Sequence, residues 1–255
     1  MCSSDLITIQ NGYKLESTAQ LGALRKDFDA LFLGMGLATT HQLGVPGDGL
    51  AGDKLEGVHD AVEFIATLRQ TADLATLPVG RRVVVIGGGM TAVDASVQSK
   101  LLGAENVHMV YRRGPETMSS SSVEQEWAQT NGVTIHHYLA PVEILAAAGL
   151  PGHVGGVKFA RQAVVNGKLQ PTGEFEIIQA DMVLKAIGQQ LGNALLAEAG
   201  FKLAGGRIAT DAAGQTNLTG VWAGGDCRAG GQDLTVEAVE HGKQSAKAIH
   251  AVLSI

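Results

Sequence analysis

The chain has 255 residues, 45% of them hydrophobic, with 34 glycines, 17% charged residues and a formal net charge of −6. That length supplies a core for one large domain or two modest ones, and a glycine-rich, charge-poor composition suits an α/β protein with many strand-to-helix turns. The negative balance gives no electrostatic basis for binding nucleic acid or an anionic membrane, and no apolar run reaches the length of a signal peptide or a membrane span, so a cytoplasmic location is expected.

The two cysteines, Cys2 and Cys227, form no C-x-x-C and no metal-ligand cluster. Neither a disulfide scaffold nor an iron–sulfur or other metal site is expected from them, and Cys227 reads as a small packed residue.

Met1 to Leu24 shows no clear amphipathic period, and Ile7 to Ile9 reads as a strand. Asp29 to Gly36 is a polar entry, a buried strand and a glycine turn, followed by a loop around Gly44 to Gly52. Val58, Val62, Ile65 and Leu68 fall on one helical face, and Pro78-Val79-Gly80 separates that helix from the next unit.

The centre of the chain is Arg81 to Asp94. Val83 to Ile86 are continuous and β-branched, as expected of a parallel strand covered on both faces, and the strand breaks at Gly87-Gly88-Gly89. From Thr91 the period becomes helical, with Val93, Val97 and Leu101 on one face and Gly103 as a stop, before Val107 to Tyr111 resumes as strand. Gly87, Gly89 and Ala92 thus fit G-x-G-x-x-G/A inside a βαβ unit, where free amides at a helix N-terminus receive a pyrophosphate.

After Tyr111-Arg112-Arg113-Gly114-Pro115 come Met118 and four serines, read as a loop capping the next helix, because Ser121 and Ser122 stand three residues before Glu124 and Gln125. That helix ends near Asn131-Gly132, Val133 to Tyr138 is the third strand, and Val154 to Val165 with Gly173 to Ile178 form an antiparallel pair. Asp181 to Gly188 repeats the layout of Asp29 to Gly36: an Asp, a short apolar strand, and a glycine at the eighth position. Thr219 to Asp226 is a strand, a glycine turn and an acid, and Leu234 to Leu253 is a long helix. An Asp in a strand-end crevice suits a cofactor hydroxyl, with a simple turn cap as the alternative.

Arg112 and Arg113 end the second strand 25 residues after Gly87, where a domain selecting NAD presents an acidic residue to the ribose. A pair of guanidinium groups there suits a 2′-phosphate, which favours NADP over NAD. His136-His137 and His59-Asp60 read as structural or exposed, and no side chain is assigned a catalytic or metal-binding role. A thioredoxin reductase would need C-x-x-C before Val83, and a short-chain dehydrogenase would need a Tyr-x-x-x-Lys that Tyr13, Tyr111 and Tyr138 all lack.

Several segments in order carry a resemblance: Leu33-Gly34-Met35-Gly36, Gly87 to Asp94, Tyr111-Arg112-Arg113-Gly114, Ala186-Ile187-Gly188, Ala223-Gly224-Gly225-Asp226, Thr235-Val236-Glu237-Ala238 and His241-Gly242-Lys243-Gln244. Together they resemble the two-dinucleotide-domain FAD/NAD(P) flavoprotein reductases, the group that includes the small chain of glutamate synthase and the flavoprotein part of dihydropyrimidine dehydrogenase. The resemblance implies a Rossmann-like NAD(P)-binding domain inserted into an FAD-binding domain. Residues 1–78 and 189–255 would then be the two segments of an incomplete FAD domain, and 79–188 the NAD(P) domain.

By the same resemblance, Gly87, Gly88, Gly89, Met90 and Thr91 hold the NAD(P) pyrophosphate, Asp226 holds the ribityl or phosphate side of FAD, and Thr235 and Val236 place their amides at the isoalloxazine. Gly34, Gly36, Ile187, Gly188 and Gly225 complete the cofactor-binding set. The implied activity is hydride transfer from nicotinamide to flavin as the electron-input component of a larger system, with a catalytic subunit or iron–sulfur domain as acceptor. The chain departs from the pattern in lacking the N-terminal FAD glycine loop, so it is read as N-terminally truncated. The competing reading is a catalytically incomplete NAD(P)-binding fragment that works only with a partner chain.

Overall fold

The computed structural model describes residues 6–49, 52–192 and 194–254. Cys2 and two residues of the loop expected around Gly44 to Gly52 lie outside that set. The chain divides into two compact units, Thr40–Gly188 and the pair of flanking segments Met1–Thr39 and Gln189–Ile255.

The larger unit is built on a five-stranded sheet in the order Val58–Asp60, Met182–Lys185, Arg82–Ile86, Asn106–Tyr111, Val133–His137. Every neighbouring pair is parallel. The alternation of side chains along Arg82–Ile86 decides the layering: Val83 and Val85 face one way and Val84 and Ile86 the other, and all four are buried. Val83 and Val85 pack with Ala92, Val93 and Ala128 from the helices Met90–Leu101 and Ser122–Thr130, and with Phe64 from Ala61–Gln70. Val84 and Ile86 pack instead with Ile144, Val157, Phe159 and Ile178, which belong to a three-stranded antiparallel sheet of Leu139–Ala147, Leu150–Val165 and Lys168–Gln179. This is the continuous apolar strand expected of a parallel sheet covered on both faces.

In the larger unit three local expectations change. Residues 40–78, expected with the first flanking segment, fold with the larger unit, because Val58 pairs with Val183 and Asp60 with Lys185. The expected helix starting at Val58 is therefore a strand to Asp60 and a helix only from Ala61. The antiparallel pair gains a third strand, Leu139–Ala147, whose register shifts between Pro141 and Glu143 and so breaks the alternation a sequence pattern relies on.

The smaller unit has a two-stranded parallel sheet, Leu31–Leu33 against Val221–Ala223. Leu21, Leu33, Leu196, Phe201, Ile208, Val221, Ala223 and Cys227 form its core. Ile7 to Ile9 is not a strand and its isoleucines are exposed. Thr18–Asp27 is a helix that no apolar period announces. It is held by a capping box, in which Ser17 accepts from the Gln20 amide while the Gln20 side chain accepts from the Ser17 amide. The long helix runs from Thr235 to Leu253. Among the described residues no helix is long and apolar enough to cross a membrane, and no cluster of three or more His, Cys, Asp or Glu side chains is arranged to hold a metal ion.

Candidate functional site

In the larger unit the strand Arg82–Ile86 delivers its backbone directly into the N-terminus of the helix Met90–Leu101. Gly87 has φ +153, and a Cβ there would run into the carbonyl oxygen of Ala186, which directly follows the adjacent strand Met182–Lys185. Glycine is thus required both by conformation and by the neighbour. A Cβ on Gly88 would lie 2.5 Å from Cδ2 of the Tyr111 ring, and one on Gly89 would lie 3.0 Å from Ser119 Oγ. Gly89 is the N-cap, its carbonyl accepting from the amides of Ala92 at 2.9 Å and Val93 at 3.1 Å. The amides that precede them in the first turn have no intrahelical partner and gather the positive end of the helix dipole.

Arg112 and Arg113 follow the end of the strand Asn106–Tyr111, next to the loop strand in the sheet. Both are exposed, and among the described residues neither guanidinium makes an ion pair or hydrogen bond. On the other side of the loop strand, Met182–Lys185 leads to Ile187, which packs into the core between the two sheets, and to Gly188 at φ +97. The Gly188 carbonyl accepts from the His41 amide at 3.1 Å. Gly87 to Thr91, Arg112, Arg113, Ile187 and Gly188 therefore all lie at the carboxyl ends of three adjacent parallel strands, where open α/β sheets bind ligands.

The remaining candidates belong to the smaller unit. Gly34 and Gly36 follow Leu31–Leu33, and Gly36 has φ +63. Gly225, at φ +69, donates its amide to His241 Nδ1 at 3.2 Å, and Asp226 follows in a short 3-10 turn. Burial is the main reason the Asp226 carboxyl sits above the usual carboxylate range. The nearby Asp233 adds to this, and Arg207, which is ion-paired with Asp233, pulls the other way. Thr235 and Val236 open the long helix with exposed side chains, and the N-cap Leu234 makes no side-chain cap. Cys227 is packed as expected, its Sγ 3.3 Å from Leu33 O and 3.2 Å from Gly224 O, and burial pushes its thiol up.

Several residues to which the sequence assigns no binding role stand beside the candidates. Ser120 and Tyr111 touch Gly88. Lys185, 5% exposed, donates to Gln42 Oε1 at 2.8 Å and stands 3.8 Å from Asp60 Oδ1, at the strand ends beside the loop. His241 supports Gly225. The serine run carried a signal, but only for helix capping. The histidine dipeptides take structural places: His136 Nε2 lies 2.9 Å from His108 Nδ1, and His137 Nε2 lies 3.3 Å from Met118 Sδ.

The fold is that of known dinucleotide-binding flavoproteins. Thioredoxin reductase from T. acidophilum superposes with a TM-score of 0.69 at 21% identity, covering 88% of this chain and 65% of that one. FprA from Mycobacterium tuberculosis, solved in complex with NADPH, gives 0.67 at 18% identity over 93% and 66%. In sequence, the glutamate synthase [NADPH] small chain of Escherichia coli (strain K12) is 35% identical over 251 residues, 90% of this chain and 52% of that protein. That of Halomonas elongata is 32% identical over 91% and 51%. The NADP(+)-dependent formate dehydrogenase subunit beta of Moorella thermoacetica is 29% identical over 97% of this chain and 35% of its own length. The chain spans about half the length of the glutamate synthase small chains it matches. The model of the pyridine nucleotide-disulphide oxidoreductases matches residues 3–242, so the chain belongs to the pyridine nucleotide-disulphide oxidoreductase family.

Proposed function

We propose that this chain is part of a cytoplasmic FAD-dependent NAD(P)H oxidoreductase, the electron-input component of a glutamate synthase or dihydropyrimidine dehydrogenase type system, and that the larger unit holds the nicotinamide cofactor. One observation carries the reading: at the carboxyl ends of the parallel strands, a glycine loop that tolerates no Cβ at Gly87 opens a helix beside two exposed arginines that have no partner among the described residues. The residues fit a dinucleotide. Amides of Gly89, Met90 and Thr91 would take the pyrophosphate, and Arg112 and Arg113 would take a 2′-phosphate by charge-assisted hydrogen bonds. When bound, the nicotinamide supplies the hydride; the protein's part is to hold and orient it.

The smaller unit fits a flavin only in part. Gly225, Asp226 and the first amides of the Thr235–Leu253 helix suit one end of FAD, but among the described residues of that unit no strand runs through a glycine loop into a helix to receive its pyrophosphate. The two-stranded sheet also leaves Phe32 41% exposed. This favours the second reading, in which the chain works with another polypeptide segment that supplies the rest of the flavin site. A catalytic subunit or iron–sulfur domain would be the electron acceptor.

Calorimetry with NADP+ and NAD+ tests the first part, with tighter binding of NADP+ expected and no binding of either refuting it. The colour of the purified protein tests the second. A yellow protein bleached by NADPH is a complete reductase, whereas a colourless one that binds NADP+ requires a partner.

A further inference from the structure

The segment from Tyr111 to Ser122 folds back over the glycine loop. Its shape is set internally: Tyr111 OH donates to Thr117 O at 2.8 Å, Thr117 N donates to Gly114 O at 3.1 Å, and Gln125 Nε2 donates to Ser120 O at 3.0 Å. At its far end Ser121 and Glu124 close a capping box on the helix Ser122–Thr130. Thus braced, the segment touches the loop at three points. The Tyr111 ring lies against Gly88, Ser119 Oγ lies beside Gly89, and Ser120, 3% exposed, donates to Gly88 O from both its amide at 3.2 Å and its hydroxyl at 3.0 Å.

Gly88 O belongs to the same rigid, planar peptide as the Gly89 N–H, which projects on the opposite side. A carbonyl fixed toward Ser120 therefore fixes the Gly89 amide away from the segment, and among the described residues that amide has no backbone partner. The geometry points to Ser120 as a positioning residue, one that aims the Gly89 amide at the pyrophosphate of the bound dinucleotide. This rests on the nucleotide reading given above.

The segment carries Arg112 and Arg113 at one end and Ser120 at the other, so the two ends can be tested apart. The probes are NADP+, NAD+ and adenosine 2′-monophosphate, which has the ribose phosphate but no 5′-phosphate, each titrated calorimetrically. Ser120→Ala weakens NADP+ and NAD+ equally, by about two- to tenfold, the loss expected of one neutral hydrogen bond, and leaves adenosine 2′-monophosphate unchanged. Wild-type affinity for both dinucleotides in Ser120→Ala overturns the inference. So does an equal loss for adenosine 2′-monophosphate, which would mean that the whole segment has collapsed. If the alanine variant does not fold, Ser120→Cys keeps the volume with a much weaker donor, and dinucleotide binding at wild-type affinity in that variant overturns the inference equally. A wild-type protein that binds none of the three probes removes the nucleotide reading itself.

Discussion

Asp29 to Gly36 and Asp181 to Gly188 have the same layout, and each ends on a glycine in the left-handed region, at φ +63 and φ +97. Their surroundings differ. Met182–Lys185 lies between two parallel neighbours and is buried at all four positions. Among the described residues Leu31–Leu33 has one neighbour, Val221–Ala223, and it exposes Phe32. The repeated layout is therefore a property of how such strands end. The glycine loop that opens a helix is contributed by the adjacent strand, which the larger unit has in Arg82–Ile86. In the smaller unit the strand beside Leu31–Leu33 ends instead in Gly224-Gly225-Asp226.

The sharpest way to break this contrast is at the arginines. Arg112→Glu with Arg113→Glu should lower NADP+ affinity by about 10²- to 10⁴-fold, at roughly 1.5 to 3 kcal/mol per charged hydrogen bond, while NAD+ stays within about threefold. Equal loss for both nucleotides in calorimetry would place the pair away from the ribose.

Next come the glycines. Gly87→Ala should destabilise the larger unit by about 2 to 5 kcal/mol, combining strained φ with a collision on Ala186 O. Gly36→Ala, with nothing within 4 Å, should cost only about 1 to 2 kcal/mol for the left-handed backbone. The sequence holds two tryptophans, Trp127 in the larger unit and Trp222 in the smaller, so Trp127→Phe and Trp222→Phe backgrounds report each unit's urea midpoint separately. Equal shifts for the two glycine variants would contradict the assigned difference in environment.

Acid should separate the units as well. Burial is the main reason His59, His108, His136 and His137 all sit below the ordinary imidazole range. On acidification the unfolded chain takes up these protons first. The larger unit therefore loses stability as pH falls below about 6.5, until the folded values are passed, by at most about 1.4 kcal/mol per pH unit for each histidine. Asp226 has the opposite sign. Its raised folded pKa means that the smaller unit loses stability as pH rises from the unfolded value near 3.8 through the folded one, and Asp226→Asn should stabilise that unit at neutral pH. A midpoint for the larger unit that does not change between about pH 5 and pH 7 would count against the histidine assignment.

The smallest effect expected is for the exposed pair Arg81–Glu105, where Glu105→Ala should shift stability by less than about 1 kcal/mol. A larger loss in the Trp127 signal would show a role in the sheet beyond charge pairing.

The loop strand, its helix and the arginines were legible in the sequence because their signals are local: a β-branched run, three glycines, a change of period. Val58–Asp60 was not, because its strand character comes from pairing with residues more than a hundred positions away. The spacing of Val58, Val62, Ile65 and Leu68 extends the following helix too far back. Thr18–Asp27 was missed because it buries only Leu21 and is held by its cap, which leaves no apolar stripe to find. The serine run shows the same limit at the site. Its capping of a helix is written in adjacent residues, but its grip on Gly88 crosses 32 positions.

The position of Met182–Lys185 also governs the order in which the larger unit can assemble. It is the last strand of that sheet to leave the ribosome, yet it lies between Val58–Asp60 and Arg82–Ile86, two of the earlier ones. Until it arrives, Val58–Asp60 has no neighbour in the sheet and Arg82–Ile86 has an open edge, while the whole antiparallel meander from Leu139 to Gln179 has already been synthesised. The local hairpins can form during synthesis, whereas closure of the parallel sheet waits for the strand that joins Val58–Asp60 to Arg82–Ile86. A nascent chain stalled before Asp181 would carry a glycine loop whose wall at Ala186 does not yet exist.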